Sequence, residues 1–85
     1  MELTRNIVER NGFKRLPPYT FVCERKIKGG KLSASDIGNG TFRIARHEPL
    51  KPFVEQWYIS TVEELQDIFT HCGIKKTIDY GNSKA

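Results

Sequence analysis

The sequence predicts an α+β domain in which a four-stranded antiparallel meander is covered on one face by two helices, in the order α-β-β-β-β-α. Three observations predict this fold. The chain has 85 residues, which suits one domain of two layers. Apolar residues follow a helical period at both ends of the chain and a period of two in the middle. Glycine-rich turns separate the middle segments. We expect one domain over residues 1–80 and a flexible tail over residues 81–85.

The first predicted element is a short helix over residues 3–11. Thr4 is the expected N-cap. Gly12 is expected to end the helix in a left-handed conformation, so that Phe13 folds back on Val8. The two prolines of "LPPY" then predict an extended linker.

Alternating apolar and polar residues predict four strands, over residues 19–28, 32–37, 41–46 and 53–60. "KGGK" and "GNG" suit tight hairpin turns, whereas the two prolines of "HEPLKP" predict a loop. The small residues of "LSASDI" favour an edge position for the second strand. On the first strand, Arg25 is the one charged residue that shares a face with apolar neighbours.

The last helix has the clearest signals. A capping box starts it, formed either by Ser60 with Glu63 or by Thr61 with Glu64. Apolar residues then recur at helical spacing as far as Cys72, which predicts one face packed against the sheet.

"THCGI", residues 70–74, places a histidine beside a cysteine, a pair that can bind metal or act in nucleophilic chemistry. Neighbours on a helix point about 100° apart, so His71 and Cys72 converge poorly on one ion. The chain also lacks the paired ligand spacing of a zinc site. A Cys72 thiolate would lie at the negative end of the helix, which raises the pKa of a thiol. The stretch is therefore predicted to be a helix end, with Gly73 in a left-handed turn and Ile74 folded back.

Motifs and composition argue against several classes of function. No nucleophile with a base and an orienting partner is evident, so we predict neither an enzyme nor a cofactor or metal. The glycine turns lack the strand-loop-helix context of a phosphate-binding loop. No apolar run has the length of a membrane span or of a signal peptide. Cys23 and Cys72 lie far apart and are expected to be reduced thiols of a soluble, cytoplasmic protein.

Three short stretches carry a resemblance, "NGF" at 11–13, "ELQ" at 64–66 and "CGI" at 72–74. With the strands between them, they resemble small uncharacterised proteins encoded by phages and prophages of gut anaerobic bacteria. Those proteins usually have a histidine where this chain has Glu63, so no role of that histidine carries over. The resemblance implies an accessory protein of a mobile element in a bacterial cell, and it supplies no catalytic residue.

The leading hypothesis is a non-enzymatic protein that binds another protein. The partner is either a host factor or a second copy that associates through an exposed strand. The expected contacts are Arg43, Trp57 and Tyr58 on the sheet and Leu50 in the proline-flanked loop.

The alternative hypothesis is nucleic-acid binding through a basic sheet face. The net charge is +4, and residues 10–51 carry ten lysines and arginines against three carboxylates. Basic groups around an exposed aromatic side chain on an open sheet grip single-stranded nucleic acid. The residues expected to do so are Arg25, Lys26, Lys28, Lys31, Arg43 and Arg46.

Overall fold

A helix, five strands and a second helix follow one another in the computed structural model, which describes residues 1–19 and 21–81 but not the side chains of residues 52 and 53. Their bounds are α1 Arg5–Arg10, β1 Lys14–Arg15, β2 Val22–Ile27, β3 Gly30–Gly38, β4 Thr41–Glu48, β5 Lys51–Ile59 and α2 Val62–His71. The strands form one antiparallel sheet in chain order. The predicted α+β class is thus confirmed. Of the predicted tail, residues 82–85 lie outside the described residues.

The predicted number of strands is wrong by one, because Lys14 and Arg15 form an additional strand, β1. They pair with Glu24 and Cys23 of β2. A strand of two residues is too short to show an alternating pattern, which explains why the sequence gives no signal for it. β2 itself begins at Val22, later than predicted.

The predicted edge position of the second predicted strand is also wrong. That strand is β3, and it lies in the centre of the sheet between β2 and β4. Turns of two residues separate it from both neighbours, so chain order decides its position and side-chain size does not. The predicted loop "HEPLKP" is shorter than expected, because Glu48 pairs with Lys51 and only two residues form the turn.

The two helices cover one face of the sheet, as predicted. Cross-strand partners share a face, so the register aligns Cys23, Ala34, Ile44 and Trp57 across four strands on this inner face. All but Trp57 are fully buried, and Trp57 packs against the core from its margin. The helices complete the same core with buried side chains that include Ile7, Val8, Leu65, Ile68 and Phe69.

The helix ends follow the predicted chemistry. Thr4 caps α1 by accepting a hydrogen bond from the Ile7 amide. Thr61 and Glu64 form the capping box of α2. At the other end of α2 the Gly73 amide donates to the Thr70 carbonyl and the Ile74 amide to the Phe69 carbonyl, at 3.1 and 2.9 Å. These two bonds define a Schellman motif, with Gly73 at φ 77°, and they confirm the prediction that "THCGI" is a helix end.

Asn11 joins the end of α1 to the C-terminal segment. Its side chain is fully buried, and its amide nitrogen donates to the carbonyls of Ile7 and Asp79 at 2.7 and 2.8 Å. The Asp79 amide donates back to the Asn11 side-chain oxygen at 2.8 Å. The neighbouring Ile78 is buried in the core. A buried amide with three hydrogen bonds therefore fixes the segment after α2.

Candidate functional site

The face of the sheet opposite the helices, here called the open face, collects four of the predicted site residues. Lys26 and Lys31 are direct cross-strand partners, and so are Arg43 and Tyr58. Cys23 points to the inner face, so Lys26, three residues further along the strand, points to the open face. Tyr58 is 57% exposed.

The other predicted residues lie elsewhere. Arg25, Arg46 and Trp57 belong to the inner face, because each stands next in sequence to a residue of the open face. Lys28 lies in the turn between β2 and β3, and Leu50, 94% exposed, lies in the turn between β4 and β5. The predicted basic residues therefore divide between two faces and a turn.

β5 is the edge strand on one side of the sheet. It has nine residues and pairs with β4, and no described residue pairs with its outer edge. An uncovered edge of this length presents backbone donors and acceptors to any extended segment that approaches it. β1, at the opposite edge, has only two residues and is followed by two prolines.

A groove of about 410 Å³ runs between β5 and α2 beside this edge. Residues 57–59 form one wall, and Glu64, Asp67, Ile68 and His71 form the other. The Glu64 carboxylate accepts hydrogen bonds from the Ser60 and Thr61 amides, which lower its pKa and keep it ionised. Within the described part of the chain, neither Glu64 nor Asp67 forms an ion pair. The groove, here called the acidic groove, thus combines carboxylates with apolar surface.

A polar network at one end of the groove connects α2 with β5. The Glu55 carboxylate accepts a hydrogen bond from Arg46 Nε at 2.9 Å and lies 2.9 Å from His71 Nε2. The Arg46 guanidinium, and then His71, hold the pKa of Glu55 below its usual value. His71 also contacts the Trp57 ring edge-on, with 5.8 Å between ring centroids. The sequence predicts only a helix end at His71 and gives no signal for these partners.

At the β1 side of the sheet, a second cleft of about 600 Å³ has the opposite charge. Four cationic side chains line it, together with one carboxylate, Glu24, which binds Lys31 Nζ at 2.7 Å. The Arg25 guanidinium lies over the Phe69 ring, 5.3 Å from its centroid. We call this the basic cleft, and its cations are Lys14, Arg25, Lys26 and Lys31.

A serine and a histidine meet on the open face, where Ser33 Oγ lies 3.0 Å from His47 Nε2. The pair resembles a nucleophile with its base. Ser33 lies in mid-strand between β2 and β4, so the backbone amides around it belong to the sheet and are not grouped to stabilise an oxyanion. We therefore assign the pair a cross-strand structural role. A β-bulge between Asp36 and Gly38 shifts the register of β3 and β4 by one residue and brings Ser33 and His47 to diagonal positions on one face. Counting outward from the two-residue turn alone would have placed them on opposite faces.

The two thiols are poorly suited to nucleophilic chemistry. Burial raises the pKa of both Cys23 and Cys72. Residues 1–19 and 21–81 contain no group of three histidine, cysteine, aspartate or glutamate side chains arranged to hold a metal ion. Across the same residues, no helix has the length and apolar character needed to cross a membrane.

Comparison with protein-family models, with curated proteins and with solved structures gives no match to this chain.

Proposed function

We propose that this chain is a binding protein that adds an extended segment of a partner protein to the outer edge of β5. The observation that carries the proposal is the position of a nine-residue edge strand beside the acidic groove. Strand addition gives affinity through backbone hydrogen bonds and specificity through alternate side chains. The expected contacts Trp57 and Tyr58 lie on the two faces of this strand, so both flank an added segment.

Charge complementarity defines the chemistry of the partner segment. Its side chains on the α2 side would enter the groove near Glu64 and Asp67, so basic residues are favoured there. Its side chains on the other side would pass the exposed ring of Tyr58, where apolar residues are favoured. A segment with alternating basic and apolar residues satisfies both sides.

A second copy of this chain suits the edge less well. Antiparallel pairing of two β5 strands would bring Glu55 and Trp57 of the second strand to the acidic groove, and neither side chain offers a cation to the carboxylates of the groove. Pairing of β5 with β1 of another copy is limited by the two-residue length of β1 and by Pro17 and Pro18. Because both modes of self-pairing are unfavourable, a different protein is favoured as the partner.

The test uses a blocked peptide of alternating lysine and valine, and a control peptide of alternating glutamate and valine, titrated against the protein by calorimetry. We expect the lysine peptide to bind and the glutamate peptide to bind at least about tenfold more weakly, a difference of about 1.4 kcal/mol. Asp67→Lys should weaken binding of the lysine peptide by a similar factor. Glu9→Lys makes the same change of charge on α1, where Glu9 binds Arg15 at 3.0 Å, away from β5, and should leave binding unchanged once thermal unfolding verifies that the variant is folded.

Two outcomes would contradict this proposal. The first is equal affinity for both peptides, or an equal loss of affinity for the lysine peptide in Asp67→Lys and Glu9→Lys. The second is a concentration-dependent dimer in sedimentation analysis that Tyr58→Ala dissociates, combined with no binding of the lysine peptide, which would assign the edge to a second copy.

A further inference from the structure

We infer that the basic cleft is a binding site for a phosphate group carried by a nucleotide or by a nucleic-acid strand. This site lies at the β1 side of the sheet and is independent of the proposed strand addition at β5. Its residues differ from the basic set that the sequence predicts, because Lys14 joins it whereas Lys28, Arg43 and Arg46 do not line it.

Three of the four cations of the basic cleft have no anionic partner in the described part of the chain. Among the described residues, no carboxylate lies within ion-pair distance of Lys14, Arg25 or Lys26, whereas Lys31 is paired with Glu24. Lys26 and Lys31 are also direct cross-strand partners, and like charges in that position repel. A bound dianion would relieve this repulsion and would supply the missing partners.

The basic cleft opens where β1 stops pairing with β2. β1 pairs only with Cys23 and Glu24, so the edge of β2 from Arg25 onward has no β1 partner and opens into the cleft. Arg25 reaches this opening from the inner face because its guanidinium rests on the Phe69 ring. Lys26 reaches it from the open face. Cations from both faces of the sheet therefore line one cleft.

A glycine forms part of the wall of the basic cleft. Gly12 has a φ of 91°, and a Cβ atom at this position would collide with the Arg25 guanidinium. The absence of a side chain lets the guanidinium lie against the α1–β1 turn and keeps that wall open. The apolar side chain of Leu16 provides a further wall. A volume of about 600 Å³ admits a group larger than a single inorganic phosphate.

The experiment titrates the whole chain with two probes at low salt, inorganic tripolyphosphate and a short oligothymidine, and follows backbone amide shifts by NMR. The test variant is Lys14→Gln combined with Lys26→Gln. The matched control is Lys75→Gln combined with Lys76→Gln, which removes the same charge from exposed positions after α2. Thermal unfolding of both variants verifies that each is folded.

We expect tripolyphosphate to shift amides of β1 and of the end of β2. The test variant should weaken binding by about tenfold or more, and the control should weaken it by much less. One outcome is that oligothymidine binds more tightly than tripolyphosphate and that the slope of its log affinity against log salt concentration falls in magnitude by about 1.4 in the test variant. That result assigns the phosphate to a nucleic-acid strand. If oligothymidine binds no more tightly than tripolyphosphate, the phosphate belongs to a small molecule. Equal losses in the two variants, or no binding of either probe at low salt, would overturn the inference.

Discussion

The two sides of the sheet are attached to α2 by different kinds of contact. On the β1 side, Phe69 stacks with Phe13 at 6.3 Å between centroids and carries the Arg25 guanidinium on its ring. On the β5 side, the attachment includes the partly exposed network of Glu55, Arg46 and His71. Buried packing holds its geometry firmly, whereas exposed ion pairs contribute little free energy. The β5 side is therefore the one that can adjust to an added strand.

The largest effect that distinguishes the two sides is expected from Phe69→Ala. Phe69 is fully buried, and its removal leaves a cavity at the contact with Phe13. We expect the free energy of unfolding to fall by about 3–5 kcal/mol, measured by urea denaturation. Tyr58→Ala on the exposed surface of β5 is the control, with an expected change of about 0.5 kcal/mol or less. Similar losses of unfolding free energy in Phe69→Ala and Tyr58→Ala would contradict the difference between the two sides of the sheet.

An intermediate effect is expected from Asn11→Ala, which removes the buried amide that holds the C-terminal segment. The Asp79 amide and two carbonyls lose their partner. We expect a loss of about 1–3 kcal/mol, because buried polar groups are left unsatisfied. Hydrogen exchange of the Asp79 amide should accelerate.

Gln66→Ala is the matched control for this prediction. Gln66 also bonds to the C-terminal segment, through the Ile78 amide and the Lys76 carbonyl, but it is only partly buried. Water can replace the hydrogen bonds of Gln66, so Gln66→Ala should lower the free energy of unfolding by less than Asn11→Ala does. An Asn11→Ala variant no less stable than Gln66→Ala would argue against the assigned role of Asn11.

The smallest effect is expected from Glu55→Gln in the network beside β5. Glu55 is partly exposed, so we expect a loss of about 0–1 kcal/mol near neutral pH. The pKa of Glu55 in the folded protein lies below its ordinary value of 4.5, so its contribution is present above that value and is lost as the pH falls through the lower folded value. Urea denaturation across this range should show the wild type and the variant converging in acid. A difference that grows on acidification would show that the carboxylate is not stabilised by these partners.

The sequence predicts features that depend on neighbouring residues. The end of α2 at Gly73 was predicted, and the cap at Thr61 was one of the two predicted, because capping needs particular side chains at fixed spacing. The exposure of Tyr58 and the inner position of Arg25 follow from alternation along a strand. These local rules also gave the α+β class.

Features that depend on contacts between distant parts of the chain were not predicted. β1 was missed because its pairing with β2 carries no local pattern. The Asp79 backbone that bonds to Asn11 lies far along the chain, so the buried amide gave no signal in the sequence. Alternation already separates Arg25 from Lys26, but the joining of both with Lys14 in one cleft depends on where β1 stops pairing with β2. The resemblance to phage and prophage proteins and the cytoplasmic location stay predictions.

The most direct test of strand addition at β5 is amide hydrogen exchange with and without the lysine-valine peptide. We expect the peptide to slow exchange of those β5 amides that do not bond to β4, because they become donors to the added strand. Exchange of the β1 amides should stay the same. Protection confined to β1 or to the turns between strands, or binding that protects no β5 amide, would contradict strand addition at β5.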